Sequence, residues 1–246
     1  FVLEHNRMAD ELRSKNPTWN DEILFQETRQ RIIALIQSIT YNEYIPTLLG
    51  EGLPAYSGYK SDVDPSIDAF FQIAAYRYGH SGINSIYLRL NNDWKSIHEG
   101  HLLLRDVYFN PSYLAFGGIE SIIRGLIVQL EQAIDTVMVD DLRHFVEGIA
   151  QDLAAMDIQR GRDVGLPNYN EACRAFGLPV ASTFADVTSD YQVEVALQSV
   201  YGSIDKLDAW VGGLAEDKVS GLSIGPLFRA SMREQFIRTR DGDRYW

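Results

Sequence analysis

Apolar residues recur every three or four positions through most of the chain, a spacing that predicts helices. Residues 1–15 carry the first such pattern, and Pro17 ends it. A long helix is predicted behind Asn20, a favoured N-cap residue that is followed by two acidic residues in the first turn. The expected core stripe of this helix is Ile32, Leu35, Ile36 and Ile39.

The most informative helix is predicted between residue 64 and His80. Asp64 or Ser66 can cap it, around a proline that suits a first helical turn. Arg77 and His80 lie three residues apart on one of its faces. Gly79 removes a side chain beside His80, which leaves room for a large flat group to approach the backbone. The expected apolar stripe on the other face is Ile67, Phe70, Phe71, Ala74 and Tyr78.

The second half of the chain continues the helical pattern, whereas residues 83–90 alternate loosely enough for a short strand. Predicted helices cover residues 119–130, residues 140–156, a short segment up to Phe176, the span between Ser189 and Gly202, and residues 227–237. The stripe of the 140–156 helix is Leu142, Phe145, Val146, Ile149, Leu153 and Met156. That helix would carry Asp157 at its buried end, and His144 falls off its stripe toward solvent. The predicted fold class is therefore mainly α with few short strands, in one domain.

Composition limits the classes of function. Apolar residues make up 46% of the 246 positions, which is typical of a globular protein. A formal net charge of −12 argues against a nucleic-acid partner, because phosphate binding needs a positive surface. No run of about 18 apolar residues is present, so no membrane-spanning segment is predicted. Cys173 is the only cysteine, which excludes an internal disulfide framework.

Each candidate residue has a simple structural interpretation when it is considered alone. Considered alone, His80 is typical of a core histidine that is hydrogen-bonded to a carbonyl. An arginine such as Arg77 or Arg160 is typical of an ion pair. The sequence HEGH at residues 98–101 lacks the four-residue spacing of a zinc-protease motif, so a solvated loop is predicted there. His5 is predicted to lie at a contact between helices rather than in a cofactor pocket.

Two stretches far apart in the sequence change this interpretation. They are residues 76–80, YRYGH, and residues 153–163, LAAMDIQRGRD. Together they resemble the proximal haem side of the animal-type haem peroxidases, the peroxidase–cyclooxygenase superfamily. The resemblance covers nearly the whole chain, because further similar segments follow in the family's order at residues 4–9, 39–46, 165–170 and 240–246.

The resemblance implies roles for four residues. His80 is the expected axial ligand of the iron of haem b, and Asp157 is the expected partner that accepts the other N–H of its ring. Arg77 and Arg160 match the arginines that hold the haem propionates, a task that suits the planar guanidinium group. Mammalian members have Asn where this chain has Asp157. The carboxylate therefore implies a more basic ligand and a lower iron(III)/iron(II) potential.

The chain also departs from the family pattern. Val164 stands where the family commonly has His, so any role of that histidine is absent. Ser81-Gly82 replaces the commoner Thr-Leu after the ligand, which is expected to loosen local packing while leaving ligation possible. Arg162 and Asp163 are expected to form a structural pair with each other.

The other side of the haem has no counterpart in this sequence. In the resembled family, the distal His and Arg precede the segment that matches residues 1–12, and so do the calcium-binding loop and the acidic residue that can bond to a haem methyl. The chain starts at Phe1 and ends at Trp246, inside a family-like segment. The resemblance thus predicts that residues 1–246 are one partial domain truncated at both ends, inactive by itself, with any calcium site outside the chain.

The function implied by the resemblance is a haem peroxidase that uses hydrogen peroxide to oxidise halide, thiocyanate or small organic donors. A haem-dependent fatty-acid dioxygenase is the alternative within the superfamily, but its tyrosine, three residues before the ligand in cyclooxygenases, is here Arg77. A relative that binds partners without catalysis is the alternative from another class, and a helical domain without haem is a further one. A secreted or extracellular protein is expected, and the lack of a cysteine framework favours a bacterial-type member. The sequence does not determine the oligomeric state.

Overall fold

Helices account for most of the regular structure in the computed structural model, which describes residues 1–145 and 151–246. The prediction of a mainly α fold with few short strands is confirmed. The described residues divide into two compact units, residues 1–56 and residues 57–246. Among the described residues, no helix combines the length and the apolar character needed to cross a bilayer.

The α-helices are α1 (Val2–Lys15), α2 (Asp21–Ile39), α3 (Ile45–Leu49), α4 (Ala69–Ile73), α5 (Leu104–Val107), α6 (Ser112–Ala115), α7 (Gly118–Val128), α8 (Asp140–Arg143), α9 (Leu153–Asp163), α10 (Tyr169–Ala175), α11 (Tyr191–Tyr201), α12 (Ala209–Ala215) and α13 (Pro226–Asp241). Short 3₁₀ helices cover Ala75–His80, Phe184–Asp186 and Ile204–Lys206, and a π-helical turn covers Thr40–Tyr44. The strands β1 (Ile86–Tyr87) and β2 (Leu102–Leu103) pair in antiparallel fashion.

The first unit is built on the pairing of α1 with α2. Asn20 caps α2 as predicted, because its side-chain oxygen accepts a hydrogen bond of 2.9 Å from the backbone N–H of Ile23. The buried side of α2 is Leu24, Thr28 and Ile32. Beyond Ile32 the predicted stripe is wrong, since Ile36 and Ile39 are exposed. The reason is length: α1 has 14 residues and α2 has 19, so α1 cannot cover the last turn of α2.

The helix that leads to His80 starts later than predicted. Asp68 is its N-cap, and its carboxylate accepts hydrogen bonds from the backbone N–H groups of Phe70 and Phe71 at 2.8 and 3.2 Å. Asp64 instead accepts from the backbone N–H of Ser66, and Ile67 is exposed. The cap at residue 64 or 66 was therefore a wrong prediction, whereas the burial of Phe70, Phe71 and Ala74 is confirmed.

The segment changes its helical type after α4. Residues 75–80 form a 3₁₀ helix, which has three residues per turn. Side chains at i and i+3 eclipse each other in that geometry, so Arg77 and His80 lie on one edge of the helix. The side chains of Arg77 and His80 therefore project in more similar directions than they would from an α-helix.

The long helix predicted over residues 140–156 is wrong. Helix α8 ends at Arg143, and α9 begins afresh behind Asp152, whose carboxylate accepts a hydrogen bond of 3.1 Å from the backbone N–H of Ala155. The predicted stripe residues Val146 and Ile149 lie outside the described residues. Phe145 and Met156 are exposed, although Leu142 is buried as expected. Asp157 therefore lies in the second turn of α9, where its side chain is buried.

Helices α10, α12 and α13 form the support behind the His80 segment. Both α12 and α13 contact the 3₁₀ helix, and α10 packs on α12. The packing is close, because a Cβ at Gly212 would overlap the ring of Tyr169 and a Cβ at Gly213 would overlap the ring of Phe228. Asn168 begins α10 with a capping box. The N-cap of α11 is Asp190 rather than the predicted Ser189, and Gly202 ends that helix as predicted.

Candidate functional site

His80 and Asp157 meet in the structure although 77 positions separate them in the sequence. His80 Nδ1 lies 2.5 Å from Asp157 Oδ2, and Arg77 Nη1 donates a hydrogen bond of 2.5 Å to Asp157 Oδ1. The Asp157 side chain is 0% exposed, whereas those of His80 and Arg77 are 31% and 26% exposed. One buried carboxylate thus links the imidazole to the guanidinium, and each of its oxygens has a nitrogen partner.

The backbone around the site holds these three side chains in place. Arg77 Nε donates to the carbonyl oxygen of Gln72 at 3.3 Å, so the guanidinium is held at two of its nitrogens. Helix α9 contacts α4, the helix that precedes the 3₁₀ segment, and so presents Asp157 to it. A buried carboxylate is stable only with good hydrogen bonds and a countercharge, and Arg77 supplies both.

The arrangement leaves one ring nitrogen of His80 available. Asp157 engages Nδ1, and a carboxylate acceptor favours the tautomer that carries its proton on that atom. Nε2 then keeps its lone pair, and it forms no hydrogen bond with any residue that the structure describes. At Gly79, the residue before His80, an added Cβ would meet no atom within 4 Å. The second ring nitrogen of His80 is therefore without a hydrogen-bond partner among the described residues.

The described part of the chain offers no group of three or more His, Cys, Asp or Glu side chains that could hold a metal ion. A metal bound at His80 would therefore need a prosthetic group that brings its own donor atoms. A single imidazole with a hydrogen-bonded partner is the protein contribution that haem iron takes from a histidine. The residues present fit such a group.

Arg160 lies one turn after Asp157 on the same side of α9. It is exposed, and its guanidinium forms no hydrogen bond or ion pair with the residues that the structure describes. The structure does not bring it into contact with His80, Arg77 or Asp157. Its assignment to a propionate therefore stays a prediction.

The expected pairing of Arg162 with Asp163 is wrong. Arg162 binds Asp208 through two hydrogen bonds, Nε to Oδ1 at 3.0 Å and Nη2 to Oδ2 at 2.7 Å. Asp163 accepts from Gln159 Nε2 at 2.7 Å instead. Neighbours along a helix project in different directions, so Arg162 and Asp163 reach different surroundings.

The other histidines have structural surroundings, as predicted. The ring of His5 packs against Phe25, with 5.6 Å between the ring centroids, so it lies at the contact of α1 with α2. His101 is in a loop, where its Nδ1 accepts a hydrogen bond of 3.1 Å from the backbone N–H of Arg89. His144 is exposed.

Sequence reasoning missed the surroundings of Ser81 and Gly82. Ser81 is 1% exposed and is hydrogen-bonded to the loop that contains Ile134. A Cβ at Gly82 would lie 2.8 Å from Ile134 Cδ1, so the isoleucine fills the space that the glycine leaves. The expectation that Ser81-Gly82 loosens local packing is therefore wrong, because a residue 52 positions away compensates for the missing side chain.

A buried titratable group at the end of α12 was also missed. Glu216 is 4% exposed; it accepts hydrogen bonds from Tyr169 Oη and from the backbone N–H of Leu227, both at 2.9 Å. Burial raises the pKa of Glu216 to about 7, against the hydrogen bonds and the nearby Lys218, which lower it. Burial likewise raises the pKa of Cys173 to about 11. A lone Glu after a Gly-rich helix gives no sequence signal for such burial.

A family model described as Animal haem peroxidase matches residues 1–246. The chain belongs to the animal haem peroxidase family. Peroxinectin A of Dictyostelium discoideum is 41% identical over 250 residues, which cover 100% of this chain and 46% of that protein. The cofactor of this family is haem.

Solved structures agree with this family assignment. Peroxidase A from Dictyostelium discoideum has a TM-score of 0.93 at 41% identity, over 99% of this chain and 48% of that one. Fatty acid alpha-dioxygenase of Oryza sativa has a TM-score of 0.84 at 21% identity, over 99% and 48% of the two chains, and at that identity it shows the shared fold alone. The chain spans about half the length of these relatives.

Proposed function

We propose that this chain forms the proximal side of a haem peroxidase site, with His80 as the axial ligand of the iron. The observation that carries the proposal is the 2.5 Å contact between His80 Nδ1 and Asp157 Oδ2, made by a carboxylate that is fully buried. Hydrogen peroxide is the proposed oxidant, and halide, thiocyanate or small organic molecules are the proposed electron donors. Membership of the animal haem peroxidase family supports this reaction class.

Each residue has a defined task in this proposal. Asp157 accepts the Nδ1 proton of His80, which fixes the tautomer, orients the ring and makes Nε2 a stronger donor toward iron. Arg77 balances the charge of Asp157 through Nη1. Haem, when bound, supplies the iron that exchanges electrons with peroxide and with the donor.

The two arginines are proposed to meet the haem propionates. Arg77 commits Nε and Nη1 to Gln72 and Asp157, so Nη2 is its remaining group for a propionate oxygen. Arg160 has its whole guanidinium available, since no residue in the described ranges binds it. The cofactor is proposed to be haem b, with any covalent link and any calcium site contributed from outside this chain.

The fatty-acid dioxygenase alternative has weaker support. The fatty acid alpha-dioxygenase of Oryza sativa shares the fold at only 21% identity. Three residues before His80, where the resemblance to cyclooxygenases would require a tyrosine, Arg77 is bound to Asp157. A relative without catalysis is also disfavoured, because a buried carboxylate held by two side chains is costly to retain without a ligand to orient.

The remaining parts of the proposal concern the whole protein. Residues 1–246 are proposed to be part of one peroxidase domain, which the match of the family model over that range supports. A secreted or extracellular location is proposed from the family resemblance alone.

Spectroscopy of the haem-loaded full-length protein tests the ligand. Resonance Raman of the reduced protein is expected to show an iron–imidazole stretch that His80→Ala abolishes. His144→Ala is the matched control, because it removes an exposed histidine of the same unit and should leave the band unchanged. A band that survives in His80→Ala would overturn the assignment. Peroxide-dependent oxidation of a phenol or iodide, compared with oxygen uptake on a fatty acid, separates peroxidase from dioxygenase.

A further inference from the structure

The residue that follows the candidate ligand is held by a separate loop. Residues 130–137, here called the strap, pass beside residues 81–84. The Oγ atom of Ser81 lies 2.8 Å from the carbonyl oxygen of Asp135, 3.1 Å from that of Ala133 and 3.2 Å from that of Val137. It also accepts a hydrogen bond of 2.9 Å from the backbone N–H of Asp135. Ser81 is 1% exposed, so its own hydroxyl is shielded from water.

The hydroxyl of Ser81 is the centre of this contact. It has one hydrogen, so it donates to one carbonyl at a time, and the carbonyl of Asp135 is nearest. With the bond from the Asp135 N–H, the hydroxyl satisfies both backbone groups of that residue. Removing it would leave the N–H and the carbonyl of Asp135, a half-buried residue, without this partner, which is expected to cost stability.

The strap has further attachments on both sides of this contact. The N–H of Gln132 donates to the carbonyl oxygen of Gly82 at 2.9 Å, and Asn84 Nδ2 donates to that of Leu130 at 2.8 Å. Ile134 is 4% exposed and occupies the space beside Gly82. The strap therefore approaches residues 81–84 closely, and this approach depends on a glycine.

The attachment of Ser81 to the strap matters because Ser81 directly follows the 3₁₀ helix that contains His80. The six-residue 3₁₀ helix of Ala75–His80 exceeds the three or four residues at which such helices are usually stable. Its last backbone bonds run from Ser81 N–H to the carbonyl of Tyr78 and from Gly82 N–H to that of Gly79, both at 3.1 Å. An anchor at Ser81 therefore fixes the end of the helix, one residue from His80.

We propose that Ser81 is a positioning residue for His80, which acts by tying the end of the 3₁₀ helix to the strap. His80 is then held twice, at its ring by Asp157 and through its backbone by Ser81. The short Nδ1–Oδ2 contact needs both, because a backbone displacement of a few tenths of an ångström would lengthen it. The link to haem chemistry rests on the proposed function, whereas the link between Ser81 and the His80–Asp157 contact does not.

The test compares Ser81→Ala with Ser81→Thr, which retains the hydroxyl. The control is Ser121→Ala, which removes an equally buried hydroxyl, bonded to the carbonyl of Gly118, from α7. The first readout is the Nδ1 proton resonance of His80 in the haem-free full-length protein, assigned by its absence in His80→Ala. In Ser81→Ala we expect it to move upfield and to exchange with water roughly fivefold faster, as expected for one lost hydrogen bond. Ser81→Thr should restore the original position, and Ser121→Ala should not change it.

The second readout is the iron–imidazole stretch of the haem-loaded protein, which should shift to lower frequency in Ser81→Ala alone. If the proton resonance of Ser81→Ala matches that of the unmutated protein, the positioning role is wrong. If the proton responds as expected but no iron–imidazole band exists in the unmutated protein, the positioning role stands and the ligand proposal fails.

A second perturbation covers the case in which Ser81→Ala does not fold. Gly82→Ala places a methyl group against Ile134 and pushes the strap away without removing the Ser81 hydroxyl. It should reproduce the upfield shift, and adding Ile134→Ala should reverse it. A normal His80 resonance in Gly82→Ala would likewise contradict the proposal.

Discussion

Replacement of Glu216 by Gln should remove a pH dependence of stability that the structure attributes to this one side chain. Glu216 joins three helices, since it ends α12 and accepts hydrogen bonds from Tyr169 of α10 and from the backbone of Leu227 in α13. The charged group that faces it is Lys218, whose Nζ donates to the backbone carbonyls of Leu214 and Glu216. The thiol of Cys173 lies nearby and is neutral at physiological pH, because burial raises its pKa to about 11.

The sign of the pKa shift of Glu216 determines how the stability changes with pH. Burial raises the pKa of Glu216 from its ordinary value of 4.5 to about 7, so the folded state binds the proton more tightly than the unfolded state. The stabilisation is complete below pH 4.5 and is lost as the pH rises through 7. With these two pKa values, the unfolding free energy falls by about 2.5 kcal/mol between pH 5 and pH 8. Gln cannot ionise, and its amide can still accept from Leu227, so the variant should lack this loss.

Urea unfolding of the full-length protein at pH 5, 6, 7 and 8 measures the effect. The quantity of interest is the difference between the unmutated protein and Glu216→Gln at each pH, because contributions from all other groups cancel in it. Asp217→Asn is the matched control, since it removes an exposed carboxylate from the adjacent position. A difference that stays constant from pH 5 to pH 8 would refute the buried-carboxylate explanation, as would an equal effect of Asp217→Asn.

Three further predictions concern the site and its packing. Gly125→Ala should destabilise the protein by about 3 kcal/mol, seen as a lower thermal midpoint, because the new methyl group would overlap the backbone carbonyl of Leu88. Gly79→Ala should change stability by less than about 0.5 kcal/mol, since no atom lies within 4 Å of the added Cβ, yet weaken haem uptake in a titration followed by absorbance. Unchanged haem affinity would contradict the idea that Gly79 leaves room for the haem. Asp157→Asn should raise the iron(III)/iron(II) potential by about 60 mV, the one-electron equivalent of a weakened charge-assisted hydrogen bond to His80. A lower or unchanged potential in redox titration would count against this role of Asp157.

The sequence predicted helices well where local chemistry alone decides them. Asn20 marks a helix start through its side-chain oxygen and Gly202 marks a helix end through its positive φ, and both were identified from residue type. The start of α4 was missed because it depends on a distant helix. Gln235 Oε1 of α13 accepts from the backbone N–H of Asp68, and Arg238 donates to the carbonyls of Asp64 and Ser66. Those carbonyls are therefore unavailable to a helix, which delays its start to Asp68.

The residue types of the candidate site could be predicted, but one of its contacts could not. The approach of His80 to Asp157 was expected from the resemblance to the family. The bond between Arg77 and Asp157 was not, because Arg77 was assigned to a haem propionate. The 3₁₀ geometry places Arg77 directly in line with His80, so both side chains reach the same carboxylate.

This bond explains why an arginine stands three residues before the histidine. A fully buried carboxylate needs a positive charge beside it. Without Arg77, Asp157 would keep only one side-chain partner, His80, and one of its buried oxygens would lose its hydrogen bond. Because Arg77 carries a permanent charge, it pairs with one oxygen of Asp157, and the other oxygen is left for Nδ1 of His80. The ion pair thus holds in place the carboxylate that orients the proposed ligand.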